Sequence, residues 1–160
     1  MLIRPATELD RAGIWTTIEP AIRAGDTYSL PRNMTRDEAL AYWLSPEHEV
    51  IVAEYDGAVV GTYYLKANQK GGGSHVANCG YMVNPLSASR GVGRAMCEDS
   101  LARARSRGFL AVQFNFVVSS NVRAVGLWES CGFEIVGRLP SAFNHPTLGM
   151  IDALVMYRLL

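Results

Sequence analysis

The sequence has no excess of charge of either sign, because 15 Lys and Arg residues balance 15 Asp and Glu residues. Proteins that bind nucleic acid usually carry a basic surplus, so this balance argues against a nucleic-acid partner. Cysteine is also scarce, with 3 residues at Cys79, Cys97 and Cys131. This odd number and this spacing fit neither a disulfide framework nor a metal site. We therefore expect a reducing compartment and no bound metal.

Long apolar runs are absent as well. No stretch approaches the roughly 18 apolar residues that a membrane-spanning helix needs. The first residues also lack the apolar core of a signal peptide. We therefore expect a cytoplasmic protein without a membrane partner. The length of 160 residues fits one domain, residues 1–160, which buries enough surface to fold without crosslinks.

The chain does contain an alternation of helix-like and strand-like segments. The pattern predicts helices over residues 8–22, 39–44, 91–107 and 121–131, and strands over 2–4, 50–53, 58–65, 76–83, 110–118, 133–137 and 153–159. Asp56-Gly57 predicts a two-residue hairpin turn, whereas Gly71 to Ser74 predicts a flexible loop. A helix connects the strands at 76–83 and 110–118, so these two should be parallel neighbours. The prediction is an α/β protein whose mixed sheet carries helices on its faces.

The most informative stretch runs from Val83 to Arg94, where a strand ends, small residues follow and a helix begins at Gly91 and Gly93. Glycine lets a ligand approach the backbone closely, and the first N–H groups of a helix have no partner within it. Together with the helix dipole, these groups favour an anion such as phosphate. An ordinary loop before a helix would contain the same glycines, so both interpretations stay open at this point.

Two motifs at their usual separation carry a family resemblance. The first comprises Val83, Pro85, Gly91 and Gly93, and the second comprises Asn121, Ala124, Leu127, Trp128, Glu129, Gly132 and Phe133. Both resemble motifs of the GCN5-related N-acetyltransferase (GNAT) superfamily. The resemblance implies direct transfer of an acetyl group from acetyl-CoA to an amine, without a metal. It also implies a mostly antiparallel central sheet of about seven strands, helices on both faces, one splayed parallel strand pair and a homodimer.

The same resemblance implies which residues hold acetyl-CoA. The pyrophosphate should contact the backbone of Ser89, Arg90, Gly91, Val92, Gly93 and Arg94. The pantetheine arm should pair with the backbone of Met82 and Val83. Asn121 should lie beside the cofactor and assist catalysis, with Trp128 also adjacent.

Two positions depart from the superfamily pattern. Ala88 stands where Gln or Arg is usual, so Arg90 or Arg94 would have to supply positive charge near the phosphates. Trp128 stands where many members carry a Tyr that serves as general acid. An indole N–H donates a hydrogen bond but does not titrate usefully. Proton transfer must therefore be managed by another group or by solvent.

A narrower resemblance concerns the acceptor. Short stretches such as Asn78-Cys79-Gly80 and Phe114-Asn115-Phe116-Val117 are similar to the fungal acetyltransferases of proline analogues, for example azetidine-2-carboxylate. This similarity implies that Asn78, Asn115 and the backbone of Phe116 contact a small amino-acid acceptor. Other acceptors stay open, namely a herbicide-like amino acid, an aminoglycoside or a protein N-terminus. A sensor that binds CoA without turnover also stays open.

Structural roles compete with these functional ones. Asn78 and Asn115 lie in apolar strands, where their amides could instead tie neighbouring backbones together, because an unsatisfied buried amide costs about 1–3 kcal/mol. Asn121 is well suited to cap the helix that follows it. Glu54 is a candidate for a base that acts through water, although a solvated strand carboxylate is its simpler interpretation.

Overall fold

The computed structural model describes residues 1–88 and 90–160. Its strands are β1 (Leu2–Pro5), β2 (Glu49–Tyr55), β3 (Ala58–Ala67), β4 (Val76–Val83), β5 (Ala111–Val118), β6 (Glu134–His145) and β7 (Gly149–Leu159). Its helices are α1 (Arg11–Ala24), α2 (Arg36–Trp43), α3 (Val92–Ser106) and α4 (Val122–Ser130). The strands form one seven-stranded sheet in the order β1-β2-β3-β4-β5-β7-β6. The pair β4–β5 is parallel and the other neighbours are antiparallel, which confirms the predicted mixed sheet.

Local sequence signals account for several element boundaries. Asp56 and Gly57 have φ angles of 50° and 77°, as a tight two-residue hairpin turn requires, and they connect β2 to β3. Thr35 caps α2, because its Oγ1 accepts a hydrogen bond from the Glu38 N–H at 3.2 Å while Glu38 accepts one from the Thr35 N–H at 2.8 Å. This capping box is the one expected from the sequence.

Helices cover both faces of the sheet. On one face, α1 and α2 bury Ile14, Ile18 and Trp43 against Val52, Tyr64 and Met82. On the other face, α3 and α4 bury Met96, Leu101 and Trp128 against Tyr63, Phe114 and Met156. Side chains of a strand alternate between the two faces, so neighbouring β3 residues Tyr63 and Tyr64 belong to different cores.

The parallel strands β4 and β5 separate after a short contact. Their pairing consists of Val76 with Ala111 and Ala77 with Val112, and it ends there although both strands continue. Toward Val83 and Val118 the two strands therefore leave a gap in the middle of the sheet. This fork is the splayed pair implied by the family resemblance, and it positions the candidate site.

Three expectations from the sequence were wrong in detail. Strand β6 extends to His145, far beyond the expected end at 137, and β7 begins at Gly149 instead of 153. Most of β6 is exposed at the edge of the sheet, so it lacks the apolar alternation by which a strand is recognised. Gly71–Gly73 forms a short 3-10 turn. In the part of the chain that the structure describes, no helix is both long and apolar enough to cross a membrane.

Candidate active site in the gap between β4 and β5

The gap between β4 and β5 opens into a cavity of about 810 Å³, a volume typical of small-molecule sites. Its walls come from both faces of the sheet. One end is lined by the starts of α3 and α4, and the remainder by the α1–α2 loop and by residues of β3, β4 and β5. Of the residues expected from the sequence, those lining the cavity are Asn78, Met82, Val83, Gly91, Gly93, Arg94, Asn115, Phe116, Asn121 and Trp128.

The glycines at the start of α3 leave room at the first end. Gly91 has φ 72°, and a Cβ placed on it would have no atom within 4 Å, so its backbone faces open space. A Cβ on Gly93 would lie 3.1 Å from Leu127 Cδ2, so this glycine permits the close contact of α3 with α4. Arg94 lines the cavity and donates to Ser130 Oγ at 2.8 Å. Arg123 also lines it and donates to the carbonyl oxygen of Ala88.

The remaining residues of the predicted phosphate loop lie differently. Arg90 stacks over the Tyr55 ring at 4.7 Å and is not part of the cavity wall. Val92 is 1% exposed and its side chain packs in the core beneath α3, so the contact expected of it remains a prediction about its backbone N–H alone. Ser89 lies outside the described residues. Positive charge at this end therefore comes from Arg94 and Arg123.

The register of β3 and β4 determines which backbone groups face the gap. The Asn84 N–H donates to the Val60 oxygen at 2.9 Å, and hydrogen-bonded pairs alternate along an antiparallel ladder. Met82, opposite Thr62, therefore directs its N–H and C=O toward β3, whereas Tyr81 and Val83 direct theirs toward the gap. The backbone groups of Met82 are therefore engaged with β3, whereas the cofactor contact expected for Met82 and Val83 requires groups that face the gap, as those of Tyr81 and Val83 do.

The two amides expected at the acceptor end already have hydrogen-bond partners in the protein. Asn78 is buried and donates from Nδ2 to the Gln113 oxygen at 2.9 Å, so it ties β4 to β5 as the structural interpretation expects. Asn115 is exposed, donates to Asn68 Oδ1 at 2.7 Å and accepts from Gln113 Nε2 at 2.9 Å. Together with Asn68, these residues give the cavity three amide side chains.

Asn121 and Trp128 lie where α4 meets the gap. Asn121 Oδ1 accepts a hydrogen bond from the Ala124 N–H at 3.3 Å, so the residue caps α4 and also lines the cavity. The Trp128 ring lies 4.8 Å from Tyr81 and 5.0 Å from Phe114, centroid to centroid. Trp128 is thus part of an aromatic cluster, and it replaces a titratable side chain with a packing one.

Titratable groups that act near neutral pH are absent from the described part of the cavity wall. It contains three cations, Lys66, Arg94 and Arg123, but no Asp, Glu or His. Burial raises the pKa of Cys79 to about 12, and burial also raises the pKa of Tyr64 far above its usual value. Glu54 accepts hydrogen bonds from Arg4 at 2.7 and 3.1 Å on the β1–β2 side of the sheet, away from the cavity.

Several lining residues were not expected from the sequence. Lys66 and Asn68 follow an apolar stretch of β3, and Tyr28 comes from the α1–α2 loop. The Tyr28 hydroxyl donates to the Tyr81 oxygen at 3.1 Å, which brings the loop over the gap. A lysine that interrupts an apolar strand was the one available signal for Lys66, since strand interiors seldom bury a cation.

Comparison with known proteins agrees with this arrangement. The model of the acetyltransferase (GNAT) family matches residues 15–133. N-acetyltransferase aca1 of Schizosaccharomyces pombe is 31% identical over 137 residues, which cover 76% of this chain and 66% of aca1. The chain thus spans slightly less than two thirds of this curated relative.

Solved structures are similar over nearly the whole chain. A GCN5-related N-acetyltransferase from Kribbella flavida superposes with a TM-score of 0.94 at 38% identity, covering 99% of this chain and 97% of that one. The structure of yncA from Salmonella typhimurium with its cofactor acetyl-CoA superposes with a TM-score of 0.87 at 23% identity, covering 100% of this chain and 94% of that one. At 23% identity, the similarity to yncA shows a shared fold and no more.

Proposed function

The chain belongs to the acetyltransferase (GNAT) family, and from this membership we propose that it transfers the acetyl group of acetyl-CoA directly to the amine of a small amino acid. One observation carries the proposal. The gap between β4 and β5 joins an arginine- and glycine-lined end to an amide-lined end within a single cavity. A thioester and an amine that enter from opposite ends would meet in the middle of the sheet.

The end formed by α3 and α4 fits the phosphates of acetyl-CoA. The open backbone at Gly91 lets an anion approach the first N–H groups of α3, and Arg94 and Arg123 supply positive charge there. Tyr81 and Val83 present backbone groups to the gap, where a pantetheine arm would pair as an added strand does. The bound cosubstrate supplies a thioester, whose acetyl group is the one transferred.

Proton handling falls to water and backbone groups in this proposal. The acceptor amine must lose its ammonium proton before it attacks, and Asn121 is suited to orient the water that removes this proton. The Tyr81 N–H faces the gap and would donate to the thioester oxygen as it gains negative charge. Free thiols have a pKa of about 8.5, so the thiolate of CoA can depart without a strong acid. Trp128 is then tolerable where a tyrosine is usual.

The charge of the cavity favours an acceptor with few positive charges. An aminoglycoside carries several ammonium groups, and the described wall offers it no carboxylate. An amino acid instead presents a carboxylate, to which Asn78, Asn115 and the backbone N–H of Phe116 can donate. Phe114 supplies an apolar surface for a compact ring. We therefore propose a small cyclic secondary-amine amino acid as the acceptor.

The test is CoA thiol release from acetyl-CoA with a panel of amines. Azetidine-2-carboxylate and a hydroxyproline are compared with an aminoglycoside and a peptide that has a free N-terminus. We expect turnover of the cyclic amino acids. Turnover of the aminoglycoside or the peptide, with none of the cyclic amino acids, would overturn the proposed acceptor but would still support acetyltransferase activity. Binding of acetyl-CoA by calorimetry without thiol release from any amine would favour the sensor.

We also propose that residues 1–160 form a single domain that assembles as a cytoplasmic homodimer. The sheet includes strands from Leu2 to Leu159, which supports one domain. The hairpin of β6 and β7 exposes Val136 and Met150 at 58% and 65%, which supports an interface there. Sedimentation equilibrium tests the assembly, and a monomer at all concentrations would rule it out.

A further inference from the structure

Lys66 lies near the end of β3, directly opposite Asn78 of β4. Directly opposed residues of an antiparallel pair project their side chains from the same face of the sheet. Lys66 is half-buried and lines the cavity together with Asn68, Asn78 and Asn115. It is one of only two lysines in the chain, the other being Lys70.

Lys66 differs from the other cations of the cavity in its partners. Arg94 lies 3.8 Å from Glu98 and also donates to Ser130, and Arg123 donates to Ala88. In the described part of the chain, Lys66 has no carboxylate within 4.0 Å and no side-chain hydrogen bond. Lys66 therefore presents to the cavity a positive charge that no carboxylate of the described residues pairs with.

The surroundings leave Lys66 as the positive charge at this end. The His48 ring stacks on the Tyr64 ring with 4.0 Å between the ring centroids. Tyr64 lies two residues before Lys66 in β3. Burial lowers the pKa of His48 and the Lys66 ammonium lowers it further, whereas the hydrogen bond to the Trp43 oxygen and the Glu47 carboxylate raise it. The net effect disfavours the charged form of His48. Glu47 is exposed and lines a smaller neighbouring cavity together with Lys66, but no ion pair joins the two within the described residues.

We propose that Lys66 binds the carboxylate of the acceptor and so selects amino acids over amines that lack an acid group. This rests on the proposed function, because it concerns the acceptor end of the same cavity. Tyr81, whose N–H faces the gap, is three residues from Asn78 along β4, roughly 10 Å at the usual rise of a strand. The flexible four-carbon stem of lysine covers part of that span, and a compact amino acid covers the rest.

The test compares two acceptors, azetidine-2-carboxylate and its carboxamide, in wild type and Lys66→Met. We expect the variant to lower kcat/KM for the acid by roughly ten- to a hundred-fold, mostly through KM, as loss of a charge-assisted pair would. The carboxamide should be acetylated as well by the variant as by wild type. The ratio of variant to wild-type kcat/KM is taken separately for each acceptor. The different amine pKa values of the two compounds therefore do not affect the comparison.

Controls separate binding from folding. Lys70→Met removes the other lysine, which is exposed, and should leave kcat/KM unchanged for both acceptors. Lys66→Arg keeps the positive charge and should retain most of the activity on azetidine-2-carboxylate. Lys66→Gln repeats the test with a polar side chain if Lys66→Met melts earlier than wild type. The dissociation constant of acetyl-CoA should be unchanged in all four.

Two results would overturn the assignment of Lys66. One is an equal loss for acid and carboxamide, and the other is an unchanged KM for the acid. Failure of wild type to acetylate any carboxylate-bearing amine would overturn it as well. In that case, binding of acetyl-CoA together with acetylation of some other amine, measured as release of the CoA thiol, would still support the acetyltransferase proposal.

Discussion

Asn78 donates a hydrogen bond from Nδ2 to the backbone oxygen of Gln113 at 2.9 Å, immediately beyond the last parallel pair, Ala77 with Val112. The bond bridges the two strands at the point where they begin to separate. One amide therefore holds the base of the fork and also lines the cavity that the fork creates. Its structural and ligand-binding roles are compatible, and mutation can separate them.

Asn78→Ala should lower both stability and acceptor binding. Losing the bond to Gln113 should cost about 1–3 kcal/mol, which lowers Tm by several degrees in a domain of this size. KM for the amino acid should rise while the dissociation constant of acetyl-CoA stays the same. Asn115→Ala is the matched control, because Asn115 is exposed and bonds only side chains. It should raise KM with little change in Tm, and an unchanged KM in both variants would leave the asparagines as structural residues.

Gly91→Val should weaken binding of acetyl-CoA by roughly ten-fold or more, equivalent to about 1.4 kcal/mol. The valine side chain would occupy the open space in front of the α3 backbone, and calorimetry measures the effect. Gly108→Val controls for backbone strain, because Gly108 also has a positive φ, 83° against 72°, and also has no atom within 4 Å of a Cβ. Both variants should lose stability, but only Gly91→Val should lose affinity. Wild-type affinity in Gly91→Val would contradict the phosphate site.

Asn121→Ala and Asn121→Ser should separate the helix cap from catalysis. Serine is a good N-cap, so the serine variant should keep a Tm near wild type, whereas alanine should lower it by the loss of the bond to the Ala124 N–H. If the Asn121 amide orients water or the amine, kcat should fall about ten-fold or more in both variants. A serine variant with full kcat would reduce Asn121 to a cap.

The pH dependence of kcat/KM should follow the acceptor amine. The described cavity wall has no Asp, Glu or His, and burial raises the pKa of Cys79 to about 12, so the thiol stays protonated and neutral through the assay range. The rate should rise with pH as the neutral amine becomes more abundant, and level off near the amine's own pKa. A series of acceptors with different amine pKa values should move this plateau accordingly. A fixed break near pH 6.5 for all acceptors would indicate a histidine base instead.

Much of the fold could be predicted because its signals are local. The bounds of β4 at Val76 and Val83, the hairpin turn at Asp56-Gly57 and the cap at Thr35 each depend on residues close together in the chain. The GNAT motifs are also local, since Gly91 and Asn121 lie at strand-to-helix junctions. The full length of strand β6 was not predicted, because its exposed edge residues show no alternation of apolar and polar side chains.

The acceptor end of the cavity was decided by the tertiary structure. The sequence named Met82 and Val83 as backbone partners of the cofactor, but the register with β3 turns the backbone groups of Tyr81 and Val83, and not those of Met82, toward the gap. It likewise gave no reason to join Lys66 with Asn115, which are 49 positions apart in the chain. A short motif fixes residue types and the conformation of its own segment. Which backbone groups remain unpaired, and which side chains share a wall, depends on strand pairing between segments distant in sequence.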